Sequence, residues 1–116
     1  MRSSWMQEPE GSGSISVGLP THDAFVENNN SAFRLEAPSG KKLELRLIDV
    51  SHRKVRGRQE EFSITFRSAA DTFIPQGTYR FEHDKLGSFE LFIVPVGKDE
   101  RGHSYEAVFN NLHDPA

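Results

Sequence analysis

From residue 33 to residue 109 apolar side chains recur at every second position, and this period of two limits the fold more than any other feature of the sequence. Residues 33–37, with the sequence FRLEA, alternate strictly between apolar and charged side chains until the final alanine. Successive side chains of a β-strand point to opposite faces of a sheet, so such a segment buries one face and exposes the other. The pattern predicts a mainly β protein built from half-buried strands.

Six segments carry this alternation and are separated by short connections with turn residues such as Pro38, Gly40 and Gly87. In the second segment the apolar phase changes between Leu47 and Ile48, which predicts a bulge or a sharp bend. Consecutive strands with hairpin-sized connections favour a small, strongly bent antiparallel β-barrel of about five or six strands. The predicted strands are residues 33–37, 43–50, 62–67, 78–82, 88–94 and 105–109, and the predicted loops include residues 51–60 and 97–104.

The ends of the chain differ from this middle part. Residues 20–27 predict a short N-terminal helix with Thr21 as its N-cap. Residues 1–18 have few large apolar groups apart from Trp5, so we expect a flexible N-terminal tail, and we expect residues 112–116 to be a loose C-terminal tail. A chain of 116 residues has room for one domain, which we place at residues 19–111.

Composition excludes several kinds of site. There are no cysteines, so the chain has neither disulfides nor thiolate ligands, and its five histidines lack the spacing that places two imidazoles on one metal. His83 and His113 are expected to be polar residues of a turn and a tail. No serine motif of a hydrolase is present. We therefore expect no metal, no cofactor, no small-molecule site and no enzymatic activity.

Two observations bear on where the chain resides. The longest apolar run, residues 91–96, is far shorter than the ~20 residues needed to span a bilayer. No segment has the charge and hydrophobicity pattern of a secretory signal. We expect a cytoplasmic protein that does not interact with a membrane.

A cluster of cationic side chains in the predicted loop 51–60 is the sharpest local signal. Four cationic groups within residues 53–58 could contact the phosphates of a nucleic acid. The net charge of −3, the two glutamates that follow and the lack of an aromatic residue within the run favour a solvated loop instead. The candidate nucleic-acid contacts are Arg53, Lys54, Arg56 and Arg58.

The strand at residues 88–94 begins with alternation and then becomes apolar on both faces. Either it crosses the middle of a closed structure, or its outer face meets another subunit. The second alternative makes Phe92, Val94 and Val96 candidate protein-interface residues. It favours a non-enzymatic interaction or assembly module that binds a protein partner or itself. RNA binding through the basic loop is the alternative, and an enzyme would need a cleft in which carboxylates or histidines converge.

Two longer motifs carry a family resemblance. They are residues 75–83, PQGTYRFEH, and residues 90–97, ELFIVPVG, accompanied by the strand at 62–67 and the ending YEAVFN at 105–110. Over roughly residues 25–110 the chain resembles an uncharacterised bacterial domain-of-unknown-function family. The resemblance implies a small Sm-like or SH3-like β-barrel, often encoded near proteins similar to phage tail-collar components. The usual Sm signatures for RNA are not found, and Arg56-Gly57-Arg58 lies in the wrong loop to replace one of them.

Overall fold

The computed structural model describes residues 19–112, with side chains described as far as Asn110. The predicted tail at residues 1–18, including Trp5, and residues 113–116 lie outside this range. One helix and seven strands follow one another along the chain. They are α1 (His22–Glu27), β1 (Ala32–Glu36), β2 (Lys42–Val50), β3 (Lys54–Arg56), β4 (Gln59–Arg67), β5 (Gly77–His83), β6 (Gly87–Asp99) and β7 (Gly102–Leu112).

The strands form one antiparallel sheet that closes on itself. Their order is β2-β1-β5-β6-β7-β4-β3, and β2 also pairs with β4. This additional pairing joins the two sides of a six-stranded barrel, while β3 remains an extra strand beside β4. Closure protects strand edges that would otherwise be exposed. The predicted fold class, a small bent antiparallel β-barrel with a short N-terminal helix, is confirmed.

The change of apolar phase in β2 marks a β-bulge, as predicted. Leu47 pairs with Phe66 and Asp49 pairs with Thr65, so the register shifts between Leu47 and Asp49. An extra residue at a bulge bends the strand and reverses the faces of the residues that follow. Leu47 is therefore buried, and Val50 also packs against the core although it lies three positions further on.

The interior is filled by aromatic and branched side chains from every strand of the barrel. Phe62, Ile64 and Phe66 are buried together, and Leu43 and Tyr79 pack against the core while partly exposed. Protein interiors are close-packed, so a change in the volume of one side chain affects the side chains around it. The fully buried large side chains are Phe25, Phe33, Leu35, Leu45, Leu47, Ile64, Phe66, Ile74, Phe81, Ile93 and Tyr105.

The short helix α1 covers one end of the barrel. Thr21 is its N-cap, as predicted, because its hydroxyl oxygen accepts a hydrogen bond of 3.1 Å from the Ala24 amide. Phe25 is fully buried and is the main contact of the helix with the core. Its ring lies 5.4–6.4 Å from the rings of Phe33, Phe62, Phe89 and Phe109.

Two segments predicted as loops contain strand, so those predictions were wrong. Residues 51–60 contain β3 and the start of β4, which form a hairpin through a turn in which Gly57 has a φ of 59°. Residues 97–104 are reduced to a short turn, because β6 continues to Asp99 and β7 begins at Gly102. Both segments pair through their backbones while their side chains stay polar and mostly exposed, so they carry no alternation of hydrophobicity.

His83 is buried, whereas the sequence predicted an ordinary polar turn residue. Its Nδ1 accepts hydrogen bonds from the amides of Lys85 (3.0 Å) and Leu86 (3.2 Å), which fixes the proton on Nε2. Nε2 then donates to the Ser31 hydroxyl at 2.9 Å. Burial lowers the pKa of His83, since the interior disfavours the charged imidazolium. The imidazole of His83, in its neutral form, therefore holds the β5–β6 turn in place.

Candidate protein-binding surface

The outer faces of the barrel differ sharply in character. On the side formed by β1, β2 and β5, ion pairs join Arg34 to Glu82 and Asp84, and Lys42 to Glu82 at 2.8 Å. The hydrogen bond from Lys42 holds the pKa of Glu82 below its usual value. Such pairs stay hydrated and contribute little to stability. This side of the barrel is an ordinary solvated surface.

The side formed by β6 and β7 carries exposed apolar side chains instead. In β6, Phe89, Leu91 and Ile93 point into the core, so strand alternation directs Phe92 outward. Phe92 is 51% exposed, Val96 54% and Val108 of β7 62%, whereas Val94 is half-buried. We call Phe92, Val94, Val96 and Val108 the apolar patch.

Strand register places the patch on one outer face. Val94 pairs with Glu106, and Val108 lies two residues further along β7 on the same face, just beyond the end of the β6–β7 ladder. Phe92 pairs with Thr78 of β5 on its other side. The structure therefore brings together the interface residues predicted from β6 and adds Val108. The sequence signal for Val108 was available, because it is apolar at an outward position between Glu106 and Asn110.

A cleft of about 440 Å³ adjoins the apolar patch and shares Val108 with it. The cleft is lined by residues of β3, β4 and β7 and by the segment that precedes β3. His22 supports its wall: Nε2 lies 2.8 Å from the Ser51 carbonyl oxygen, and its ring packs edge-on against Phe62 at 5.0 Å. The lining residues are Ser51, His52, Lys54, Glu61, Phe62, Ser63, Glu106 and Val108.

The four cationic residues of the predicted nucleic-acid contact all lie on the β3–β4 hairpin and are exposed. Their side chains are divided between its two faces, since Arg53 makes an ion pair of 3.3 Å with Glu60. Lys54 and Arg56 lie on the other face, where they pair in register with Glu61 and Gln59. The hairpin therefore presents cations interleaved with carboxylates and not one uniform basic face. Arg58 lies in the turn.

Other kinds of site have little geometric support in residues 19–112. No group of three or more histidine, aspartate or glutamate side chains in this range lies close enough together to hold a metal ion. No helix in this range combines the length and the apolar character needed to cross a membrane.

Comparison with known proteins yields a family without an assigned activity. No curated protein and no solved structure matches the chain. One family model does match, and it covers residues 20–109, from the residue before the N-cap of α1 to the last aromatic of β7. The chain therefore belongs to the family described as Domain of unknown function (DUF6916).

Proposed function

We propose that this protein is a non-enzymatic interaction module that assembles with itself or with a protein partner through the apolar patch. The observation that supports this function is the contrast between two sides of one barrel. The β1–β2–β5 side is covered by ion pairs, whereas the β6–β7 side leaves Phe92 and Val108 more than half exposed. Contiguous exposed apolar side chains rimmed by polar groups are typical of protein-binding surfaces.

Phe92 is the anchor of this surface. A phenylalanine side chain buries 150–250 Å², so burying the exposed half removes roughly 100 Å² from water and contributes about 2.5 kcal/mol. Aromatic side chains at the centre of an interface commonly supply most of its binding energy, while their neighbours exclude water. Val94, Val96 and Val108 take the second role. The cleft beside Val108 supplies hydrogen-bonding groups at the rim through Ser63 and Glu106.

Substitution of Phe92 tests this function. We expect Phe92→Ser to weaken self-association or partner binding at least tenfold without lowering the melting temperature, because its side chain lies outside the core. Phe73→Ser is the matched control, since Phe73 is 59% exposed but lies on the β4–β5 loop and is not a member of the apolar patch. Light scattering at high protein concentration and affinity capture from the native cell measure the two forms of binding.

The proposal fails if the wild-type protein is monomeric at high concentration and Phe92→Ser leaves every captured partner unchanged. It also fails if Phe73→Ser reduces binding as much as Phe92→Ser does. We place the module in the cytoplasm and, following the resemblance, in an assembly of phage-tail type. The compartment is tested by fractionating the native cell.

RNA binding is a second candidate function, favoured by the exposure of all four cationic side chains on the β3–β4 hairpin. Phosphate contacts would make affinity fall steeply with salt. This function predicts micromolar binding of single-stranded RNA at ~50 mM salt that is lost when Arg53, Lys54, Arg56 and Arg58 are all replaced by serine. Absence of retention at that salt concentration rejects it.

A further inference from the structure

In residues 19–112, β3, the end of β7 and the part of β6 that faces it (residues 87–93) each lack a second partner strand. The ladder between β6 and β7 ends where Val94 pairs with Glu106, although β7 continues to Leu112. Beyond that point β7 pairs with β4 alone among residues 19–112. Within the described residues, β3 likewise pairs with β4 alone. We call these the β7 edge (residues 107–112) and the β3 edge (residues 54–56).

The pairing pattern identifies which backbone groups face outward. Arg56 and Gln59 flank a two-residue turn and exchange both hydrogen bonds, so the N–H and C=O of Val55 point away from β4. Hydrogen-bonded pairs alternate along β4, so the backbone N–H and C=O groups of Glu60 and Phe62 point toward β7. Their partners in β7, Asn111 and Phe109, therefore use their backbone groups to bond to β4. The backbone groups of Val108 and Asn110 point away from β4. The β7 edge thus offers the donors and acceptors of Val108 and Asn110, and the β3 edge offers those of Val55.

The two edges have complementary side chains. Lys54 and Arg56 project from one face of the β3 edge, and between them Val55, 52% exposed, projects from the other. The β7 edge carries Val108 and adjoins Glu106, and Glu90 lies on the same outer face of the neighbouring β6. Opposite charges on neighbouring strands favour pairing, and like charges oppose it. The β7 edge therefore favours an extended segment with cations beside a small apolar residue, which is the composition of β3.

We infer that a second copy of this chain binds by adding its β3 edge to the β7 edge of the first copy. This inference rests on the proposed assembly function and specifies the partner. The two edges lie on opposite sides of the three-stranded ribbon β3-β4-β7, so one molecule cannot pair its own edges. Different surfaces of the two copies meet, and the interface is heterologous. Such contacts extend into a closed ring or a filament.

Proline substitutions at outward-facing positions test this inference without removing ladder hydrogen bonds. Val55→Pro deletes the donor of the β3 edge, and Asn110→Pro deletes one donor of the β7 edge. We expect the wild-type protein to form oligomers that weaken as salt rises, and each variant alone to associate at least tenfold more weakly. An equimolar mixture has one intact edge of each kind and should form a 1:1 dimer and nothing larger. Size-exclusion chromatography with light scattering measures all three samples.

Charge exchange provides a second pair of variants in case a proline disturbs folding. Lys54→Glu with Arg56→Glu should abolish oligomers, and so should Glu106→Lys alone. An equimolar mixture of the two variants should restore oligomers in which they alternate, because each β3 edge then meets a β7 edge of opposite charge. A monomeric wild-type protein at millimolar concentration overturns the inference. Oligomers that persist in Val55→Pro and Asn110→Pro but disappear in Phe92→Ser also overturn it, and they leave the apolar patch as the site of assembly.

Discussion

The surroundings of Gly102, the first residue of β7, predict how strongly an alanine at this position would destabilise the protein. Its φ is 145°, a backbone conformation that residues other than glycine rarely adopt. A Cβ at this position would lie 1.8 Å from the carbonyl oxygen of Ser68 and 3.0 Å from its carbonyl carbon. Both atoms belong to the backbone, so no side-chain rotation relieves the overlap. Gly102→Ala must therefore shift one of the two chain segments.

Two contributions determine how much stability Gly102→Ala should lose. Holding a non-glycine residue in such a region costs of order 1–3 kcal/mol. Moving Ser68 away by more than an ångström would stretch its amide hydrogen bond to the His103 carbonyl, now 2.9 Å, at a cost of about 1 kcal/mol. We expect Gly102→Ala to lower the free energy of unfolding by about 3 kcal/mol. For a domain of this size the melting temperature should fall by roughly 12–24 °C.

Urea unfolding followed by circular dichroism measures this loss, and two other glycines provide controls. Gly97→Ala should change stability by less than about 0.5 kcal/mol, because its Cβ would meet no atom within 4 Å and its φ is not in the positive range. Gly87→Ala isolates the backbone contribution, since φ is 82° but the space is open, and it should cost about 1 kcal/mol. A Gly102→Ala protein as stable as Gly97→Ala would refute the reasoning.

Leu45→Asp, which places a charge at a fully buried position, should cost several kcal/mol and abolish the cooperative thermal transition seen by circular dichroism. Neutral His83 should make the free energy of unfolding depend on pH, because its pKa in the folded protein is lower than the unfolded value of 6.5. The stability that His83 contributes is complete above pH 6.5 and is lost as the pH falls below that value. His83→Gln should remove this part of the dependence in urea titrations between pH 5 and 8, whereas replacement of the exposed His52 by glutamine should not. An unchanged pH profile in His83→Gln would contradict the assignment.

The strands whose side chains alternate in hydrophobicity were predictable, because each carries its own evidence of a buried face. β1, with Phe33 and Leu35 inside, and β4, with Ile64 inside, are examples. The bulge in β2 was predictable for the same reason, since its apolar phase changes within one strand. β3 was not, because its three side chains are all exposed and its stabilisation comes from backbone pairing with β4.

The candidate surface was predicted only in part. Phe92, Val94 and Val96 stood out because they follow one another along one strand. The separation of β7 from β6 beyond Glu106 depends on which distant segments pair, and no local pattern encodes that choice. The burial of His83 has the same origin, because Ser31, which accepts its hydrogen bond, is 52 residues away in the sequence.

The position of β7 between β4 and β6 governs how the chain can fold. The last described strand pairs with both β4 and β6, and it supplies Tyr105, Ala107 and Phe109 to the core. During synthesis the first six strands emerge from the ribosome before the strand that joins β4 to β6, so they expose unpaired edges until it arrives. Closure then requires contacts between segments far apart in the sequence, which makes folding slow compared with that of a helical domain of equal length.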